Sequence, residues 1–275
     1  MPELPEVETV CRQLAREIEG ATIKNTIIRY SGKLNASPVD FAHAVNGAQI
    51  TNIKRRAKII IITLGKGMSL LVHLKMSGRL LVKTPNEVAT KHTHVIFQLN
   101  NNKELHFEDT RKFGYTHIYS TDDIQNIPTI KNLGPEPLEA SFTVQDFINQ
   151  LHTFPKRRIK QSLLDQHIIA GVGNIYADES CHMARIHPEA IISTIPTENL
   201  HNLFSSLQTI LNASIDRHGT SSDMFVDAYG NRGDNVRFLQ VYGREGESCR
   251  TCADTITKSR VAGRGTHICP SCQTI

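Results

Sequence analysis

Four of the six cysteines in this 275-residue chain fall in its last 27 residues, as Cys249-Arg-Thr-Cys252 and Cys269-Pro-Ser-Cys272. Two C-x-x-C knuckles sixteen residues apart can bring four thiolates to one tetrahedral zinc ion. Four sulfur ligands leave no open coordination position, so the expected zinc is single and structural rather than catalytic. Residues 256–268, with Gly263 and Gly265, can form a β-hairpin that closes the site and presents Lys258, Arg260, Arg264 and His267 to a partner. Ala253 stands where such knuckles often place a glycine, an irregularity in the local turn. Cys11 and Cys181 lie on helical stretches and read as buried thiols.

A second chemistry is cationic. Lys54-Arg55-Arg56-Ala57-Lys58 and Lys156-Arg157-Arg158-Ile159-Lys160 contain no acid, and the net charge is +4. Two separated basic patches could grip a polyanion, although either cluster alone is as readily a solvated face. In Ala170-Gly-Val-Gly-Asn174 the glycines precede a helix start, where backbone N–H groups can seat a phosphate. Glycine turns between helices are also common for structural reasons alone, and it is the neighbouring 156–160 cluster that favours the phosphate reading.

Hydrophobic residues make up 39% and charged residues 21% of the chain, a composition that fits a globular protein and excludes a disordered one. The longest apolar runs, such as Ile59 to Leu64, are too short to cross a bilayer, so no membrane partner is expected. The first residues are acidic and proline-bearing where a secretory signal needs a basic start, which makes a cytoplasmic location the default. The length suits two or three modules.

Val7, Val10, Leu14 and Ile18 recur at helical spacing and predict a helix over residues 5–19, with Pro5 in its first turn and Gly20 beyond its end. From 21 to about 120 the runs ATIKNTIIRY, AKIIIITL, MSLLVHL, THVIFQLN, ELHFED and GYTHIYS read as strands without helical crossovers, hence an antiparallel sandwich or barrel. Asn132-Leu-Gly-Pro-Glu-Pro137 breaks the pattern and marks a boundary. Helical segments are predicted at 142–151, 159–166 and 174–184. A longer helix carries Leu200, Leu203, Phe204, Leu207, Ile210 and Leu211 and ends at Gly219. Residues 220–234 are polar and glycine-containing and predict a mobile loop. The expected domains are 1–131, 132–235 and 236–275.

Taken together, PELPEVETV at the start, KRRAK at 54–58, HLKMSG at 73–78, TRKFG at 110–114, GVGNIYADES at 171–180 and the paired C-x-x-C knuckles closely resemble the formamidopyrimidine-DNA glycosylase family over nearly the whole chain. The resemblance implies an α+β multidomain fold. Its parts are an N-terminal antiparallel β-sandwich with flanking helices, a helix-two-turn-helix domain and a C-terminal zinc β-hairpin. It also implies a bacterial-type enzyme acting at the nucleoid, which removes 8-oxoguanine and formamidopyrimidines from damaged double-stranded DNA and then cuts the strand; a monomer is the default expectation.

The resemblance gives the opening residues a chemical role. Met1 precedes a small residue, and its removal would leave Pro2 with a free secondary amine. An α-amino group titrates at about 7.7–8.0, so a useful fraction is unprotonated near neutral pH. Such an amine is a nucleophile able to attack a sugar C1′ and to end as a cationic iminium. By the same resemblance Glu3 is the general acid/base of ring opening, Lys58 a proton donor in β-elimination and Arg264 the residue of δ-elimination. Glu6 is expected to hold the amine or the helix start. Met76, Arg111 and Phe113 fall on the positions that fill the space left by an extruded base, and His92, Lys160 and Asn174, with Lys156, on positions that contact the DNA backbone. The 221–234 loop corresponds to the segment that covers the flipped base. Singly, Met76 and Phe113 would pass as core residues, Arg111 as a surface charge, and Glu3 and Glu6 as acids favourable at a helix start.

Two alternatives share many of these features. An endonuclease VIII-like glycosylase would have the Pro-Glu start, the helical module and the zinc hairpin but prefer oxidised pyrimidines. A non-catalytic zinc protein that binds DNA would have the scaffold but no use for Pro2, Glu3, Lys58 and Arg264 together.

Overall fold

The computed structural model describes residues 1–222 and 224–274. The chain divides into two compact units. The first comprises Met1–Lys131 with Arg217–Asp234, and the second Asn132–Asp216 with Asn235–Ile275.

The first unit begins with α1 (Leu4–Ile18), whose Leu4, Val7, Val10, Leu14 and Ile18 are at most 1% exposed. The helical spacing of these side chains makes one continuous apolar stripe. Gly20, at φ +85°, turns the chain away and donates its N–H to the Ile50 carbonyl. The next elements are β1 (Ile23–Ile28), α2 (Pro38–Val45), β2 (Ile50–Arg56), β3 (Ile59–Leu64), β4 (Met68–His73), β5 (Gly78–Lys83), β6 (Thr93–Leu99), β7 (Glu104–Asp109), β8 (Tyr115–Ser120) and a short α3 (Pro128–Lys131).

The strands form two four-stranded antiparallel sheets, ordered β1-β6-β7-β5 and β2-β3-β4-β8. Val95, Phe97, Leu99, Leu105 and Phe107 of one sheet share a single core with Ile60, Ile62, Leu64, Leu70 and Val72 of the other, and the α1 stripe closes it. Of the two expected architectures, the chain adopts the sandwich.

Besides the single-turn α3, three elements of the first unit escape the sequence pattern. Strand β2 reads as a charge cluster because Lys54, Arg55 and Arg56 dominate it, and because a register shift between Ile50 and Asn52 buries Ile50 and Ile53 without the usual alternation. Strand β5 opens on Gly78 and Arg79 and ends on Lys83, which leaves only Leu80–Val82 as its apolar run. Helix α2 buries only Phe41 and Val45, one turn apart, behind an N-cap in which the Ser37 hydroxyl accepts from the Asp40 N–H at 3.2 Å.

The segment after residue 216 also departs from expectation. The preceding helix stops at Asp216, short of Gly219, and Arg217–Asp234 belongs to the first unit instead of the helical one. Gln13 clasps it at both ends of its amide. Nε2 donates to Asp227 at 2.8 Å and Oε1 accepts from the Ala228 N–H at 2.9 Å. The Val82 N–H donates to the Ala228 carbonyl, and Phe225 and Ala228 join the sandwich core. Asp223, part of the expected base-covering loop, lies outside the described residues.

The second unit contains α4 (Val144–His152), α5 (Ile159–Leu164), α6 (Asn174–Met183), α7 (Thr197–Asp216) and the hairpin β9 (Thr257–Val261) with β10 (Arg264–Ile268). Phe142 and Phe147 of the α4 region pack against Phe204 of α7, with ring centroids 5.8 and 5.2 Å apart. Residues Ile175 to His182 of α6 are all buried, so this short helix is the axis of the unit. No helix of the described residues is long and apolar enough to cross a membrane.

Because Leu14 is 0% exposed in the α1 stripe, Leu14→Ala is expected to destabilise the protein by about 2–5 kcal/mol. A denaturant unfolding midpoint that stayed at the wild-type value would show that α1 is not part of the core.

Candidate active site

The residues expected to do chemistry at the start of the chain lie at a helix entrance. Glu3 is the N-cap of α1, in extended conformation at φ −106°, and Pro5 sits in the first turn. Glu6 binds this entrance from two directions. Its Oε2 accepts from the Glu3 N–H at 2.8 Å, and its Oε1 accepts from the Thr220 N–H, also at 2.8 Å. The Glu3 bond is the return half of a capping box. Gly219 makes the approach possible, since a Cβ there would lie 3.1 Å from Glu6 Cγ and the backbone is left-handed at φ +84°. Pro2, Glu3 and Glu6 are all buried.

Lys58 occupies the tight turn between β2 and β3, after Ala57 at φ +50°, and is 6% exposed. Its basic neighbour Arg55 is already engaged. Arg55 donates to Glu8 at 3.1 Å and to the Ala57 carbonyl at 2.9 Å, and Arg12 donates to the other Glu8 oxygen at 2.8 Å. Burial works against ionisation of Glu8, but both guanidiniums hold its carboxyl below the ordinary range. His73 lies in the field of this corner. Burial, reinforced by the charges of Lys75 and Lys58, lowers its imidazolium to about 3, and its Nδ1 accepts from the Lys75 N–H at 3.0 Å. His73 is therefore a neutral acceptor that shapes the 74–78 turn.

Met76 and Phe113 stand out on the surface, 39% and 50% exposed, which excludes the core role either could have had. They meet through Arg111, whose guanidinium donates to Met76 Sδ at 3.2 Å and lies 4.9 Å from the Phe113 ring centroid. His92 is half-buried, and its carbonyl accepts from the Asp109 N–H at the foot of the 110–114 turn.

In the second unit Arg264 opens β10 directly after Ala262 and Gly263, at φ +49° and +76°. Two consecutive left-handed residues make the tight hairpin turn that matches strand twist, and Arg264 is exposed at its tip. Asn174 begins α6 and donates from Nδ2 to the Gly265 carbonyl at 2.9 Å. Lys156 is exposed, as a phosphate contact requires.

Lys160 is placed differently from the expectation of a backbone contact. Its side chain is 0% exposed, paired with Asp178 at 2.5 Å and donating to Thr266 Oγ1 at 2.8 Å and the Gly265 carbonyl at 3.1 Å. With Nζ enclosed by the hairpin, Lys160 clamps β10 to the helical unit. The signal that hid this is its position in a basic cluster whose other members are surface residues. Sequence reasoning also passed over Asp178 and Glu179. Asp178 takes the His267 N–H at 2.9 Å, while Glu179 takes the N–H groups of Gln240, Val241 and Tyr242 at 2.8–2.9 Å. Burial pushes the Glu179 carboxyl upward and those three donors pull the other way.

The four terminal cysteines converge, with every pair of sulfurs within 4.8 Å. Cys252 and Cys269 are 3.3 Å apart and Cys249 and Cys272 are 3.9 Å apart, close to the tetrahedral edge of about 3.8 Å that metal–sulfur bonds of about 2.3 Å imply. Burial opposes ionisation of Cys249, but the N–H groups of Thr251 and Cys252 and the His182 imidazole overcome it and bring the thiol down to about 5. Burial and neighbouring sulfurs push Cys269 and Cys272 upward. Four thiolates so close need a cation among them, and the donor set fits one structural zinc. Ala253 adopts φ +65°, the conformation for which a glycine would be suited, so the knuckle keeps its turn at the cost of local strain.

A β-sandwich whose first helix carries a buried, doubly tied entrance, together with a helical unit bearing a four-cysteine zinc hairpin, defines the class of zinc-hairpin, helix-two-turn-helix proteins. Family models agree along the chain. Residues 1–116 match the formamidopyrimidine-DNA glycosylase N-terminal domain, 133–226 its H2TH domain, and 246–275 the zinc finger found in FPG and IleRS. The formamidopyrimidine-DNA glycosylase of Pelotomaculum thermopropionicum is 40% identical over 276 residues, covering 100% of both chains, and that of Herpetosiphon aurantiacus is 42% identical over 283 residues, covering 99% of this chain and 100% of the relative. Among solved structures, a Lactococcus lactis FPG mutant in complex with Fapy-dG-containing DNA superposes with a TM-score of 0.93 at 36% identity, covering 100% of both chains. The L. lactis Fpg complex with abasic-site DNA gives 0.92 at 37% identity, covering 99% and 100%. The chain belongs to the formamidopyrimidine-DNA glycosylase family.

Two predictions follow from the geometry. A histidine held neutral down to pH 3 but titrating near 6.5 when unfolded takes up its proton only on unfolding, so it removes stability as the pH falls from about 6.5 toward 3, by up to about 1.4 kcal/mol per pH unit. His73→Gln, which keeps an acceptor without the titration, should flatten the acid limb of stability against pH by as much as one proton, and an unchanged slope would refute the assignment. Burial raises the Cys11 thiol and pushes Cys181 up to about 12. In the native zinc-loaded protein, alkylation followed by mass spectrometry is expected to mark no cysteine. A chelator should open Cys249, Cys252, Cys269 and Cys272 and leave Cys11 and Cys181 unmodified until the chain is denatured.

Proposed function

We propose that this protein is a base-excision repair enzyme that removes oxidised purines, 8-oxoguanine and formamidopyrimidines, from duplex DNA and cleaves the strand at the resulting site by β,δ-elimination. The observation that carries the reading is the α1 entrance. Its terminal proline and Glu3 are buried beside a carboxylate that immobilises the backbone, in the same unit as the exposed Met76, Arg111 and Phe113. The full-length likeness to glycosylases solved with Fapy-dG and abasic-site DNA supports the same substrate class.

Removal of Met1 frees the Pro2 nitrogen, which attacks C1′ of the damaged nucleotide as the glycosidic bond breaks and the base departs with its electron pair. Glu3 then gives a proton to the sugar ring oxygen as the C1′–O bond opens, leaving an iminium between Pro2 and C1′. A secondary amine cannot shed that charge, so the iminium draws electrons from C2′ as its proton is lost and the 3′ phosphate leaves. Lys58, in the β2–β3 turn, is assigned the proton donated in that step, and Arg264, at the hairpin tip, the second elimination that releases the 5′ phosphate. Met76, Arg111 and Phe113 occupy the gap left by the extruded nucleotide, whose unstacking costs a few kcal/mol. His92, Asn174 and Lys156 hold the backbone, so binding should weaken steeply with salt. Zinc, where bound, supplies no step and keeps the hairpin rigid. The bacterial relatives support a cytoplasmic enzyme working on the nucleoid.

Borohydride reduction during turnover on an 8-oxoguanine duplex is expected to trap the Met1-processed protein covalently on DNA, and a form with an uncleaved N-terminal extension is expected to give no trapped species. Glu3→Gln should slow excision by about 10²–10⁴-fold. Equal trapping from the blocked and free termini would refute the mechanism, and faster excision of thymine glycol than of 8-oxoguanine would assign the chain to oxidised pyrimidines instead.

A further inference from the structure

The three space-filling residues lie on two turns that cross between the sheets side by side. Residues 74–77 lead from β4 of one sheet to β5 of the other, and 110–114 lead back from β7 to β8. The flanking strands pair on both sides, Gly78 opposite Asp109 and His73 opposite Tyr115. Neither turn has a relaxed backbone, for Lys75 and Lys112 are left-handed at φ +52° and +57°. The crossing is also too close for side chains. A Cβ on Gly78 would lie 2.4 Å from the Leu74 carbonyl oxygen, and one on Gly114 would lie 2.9 Å from that of His73.

One carboxylate sits at this crossing. Asp109 is 1% exposed. Its Oδ1 accepts from the Ser77 hydroxyl at 2.5 Å and from the Arg111 N–H at 3.1 Å, and its Oδ2 accepts from the Gly114 N–H at 2.7 Å. The Arg111 N–H also reaches Ser77 Oγ at 3.1 Å, which joins the two turns directly. The Asp109 backbone is held in turn, its N–H by the His92 carbonyl at 3.0 Å and its carbonyl by His94 Nε2 at 2.7 Å. Just outside this knot, the Arg111 guanidinium touches both Met76 Sδ and the Phe113 ring.

We infer that Asp109 is a positioning residue that presets the wedge, binding both turns so that Met76, Arg111 and Phe113 meet the helix as one body. The inference rests on the function proposed above. A buried carboxylate suits the task because its two oxygens accept from both turns at once, and a charged acceptor makes the stronger hydrogen bonds. Turns ordered during folding need not be ordered at the expense of binding, when the unstacking of the damaged base already has to be offset. Asp109 touches neither sugar nor base in this scheme, and its effect reaches the reaction only through the three residues it holds.

The test uses full-length, zinc-loaded, Met1-processed protein, with active enzyme counted by borohydride trapping on a preformed abasic duplex. Asp109→Asn keeps the volume but offers a single acceptor oxygen, so either the Ser77 and Arg111 donors or the Gly114 donor must lose its partner. Ser77→Ala removes one bond and spares the carboxylate. Single-turnover excision is measured on 8-oxoguanine opposite cytosine, and cleavage on the preformed abasic site, which has no base to unstack. For Asp109→Asn the ratio of the excision rate to the abasic-site cleavage rate is expected to fall at least tenfold. Ser77→Ala should move the ratio in the same direction by a smaller factor. An unchanged ratio in both variants, or an equal fall on the two substrates, overturns the inference. A wild-type enzyme that excises no oxidised purine overturns the proposed function and this inference with it.

Discussion

A backbone terminus can act as a reagent only if folding holds it still, and chain ends are ordinarily the least ordered part of a domain. Here one buried carboxylate supplies the constraint. Glu6 gathers the N–H of Glu3 and the N–H of Thr220, residues more than two hundred positions apart, onto its two oxygens. The close approach relies on Gly219, and the returning segment is secured by Gln13 about two turns further along the same face of the helix. The helix entrance is thus fixed by contacts that depend on the whole first unit being folded. Under the proposed mechanism, an amine presented there has a defined direction, and such orientation is what makes a weak intermolecular nucleophile an effective one.

The second unit solves a comparable problem for a hairpin tip. Two neighbouring acids on α6 diverge to different targets, Asp178 to β10 and Lys160, and Glu179 to the three N–H groups of 240–242 that lead toward the zinc knuckles. Removing one partner of a buried ion pair such as Lys160–Asp178 is strongly unfavourable, by about 3–5 kcal/mol, because the remaining charge has no solvent to return to. The hairpin is thereby anchored along β10 by charge and at its base by metal, while Arg264, its turn and most of β9 stay exposed. Under the proposed mechanism, a structural zinc bears on the chemistry by restricting the motion of a side chain it does not touch.

Much of this was legible from residue order because the relevant signals are local. The α1 stripe follows from a 3.6-residue period, the strands from short β-branched runs between turns, and the zinc site from two tight chelating knuckles whose spacing scarcely depends on the rest of the fold. Ala253 could even be marked as irregular from its position alone, and its left-handed φ is the form the irregularity takes. The chain's place in its family followed from motifs that are individually long.

Other features came from neither periodicity nor motif. Lys160 and Lys156 stand four residues apart in one basic cluster, yet one ammonium is enclosed by an acid and a carbonyl and the other is exposed, a difference created by where β10 packs. Strand β2 is a strand because β3 pairs with it, despite three adjacent cations. Residues 217–234 read as a polar loop, but Glu6, Gln13 and Arg79 supply their hydrogen bonds from distant elements. Asp109 looked like the end of a strand and is the knot between two turns. The sequence by itself determined which groups could be nucleophile, ligand and wedge, because those properties belong to single side chains and near neighbours. Only the tertiary structure decided which charges are buried and which turns are bound together, because burial and pairing are set by residues remote in the chain.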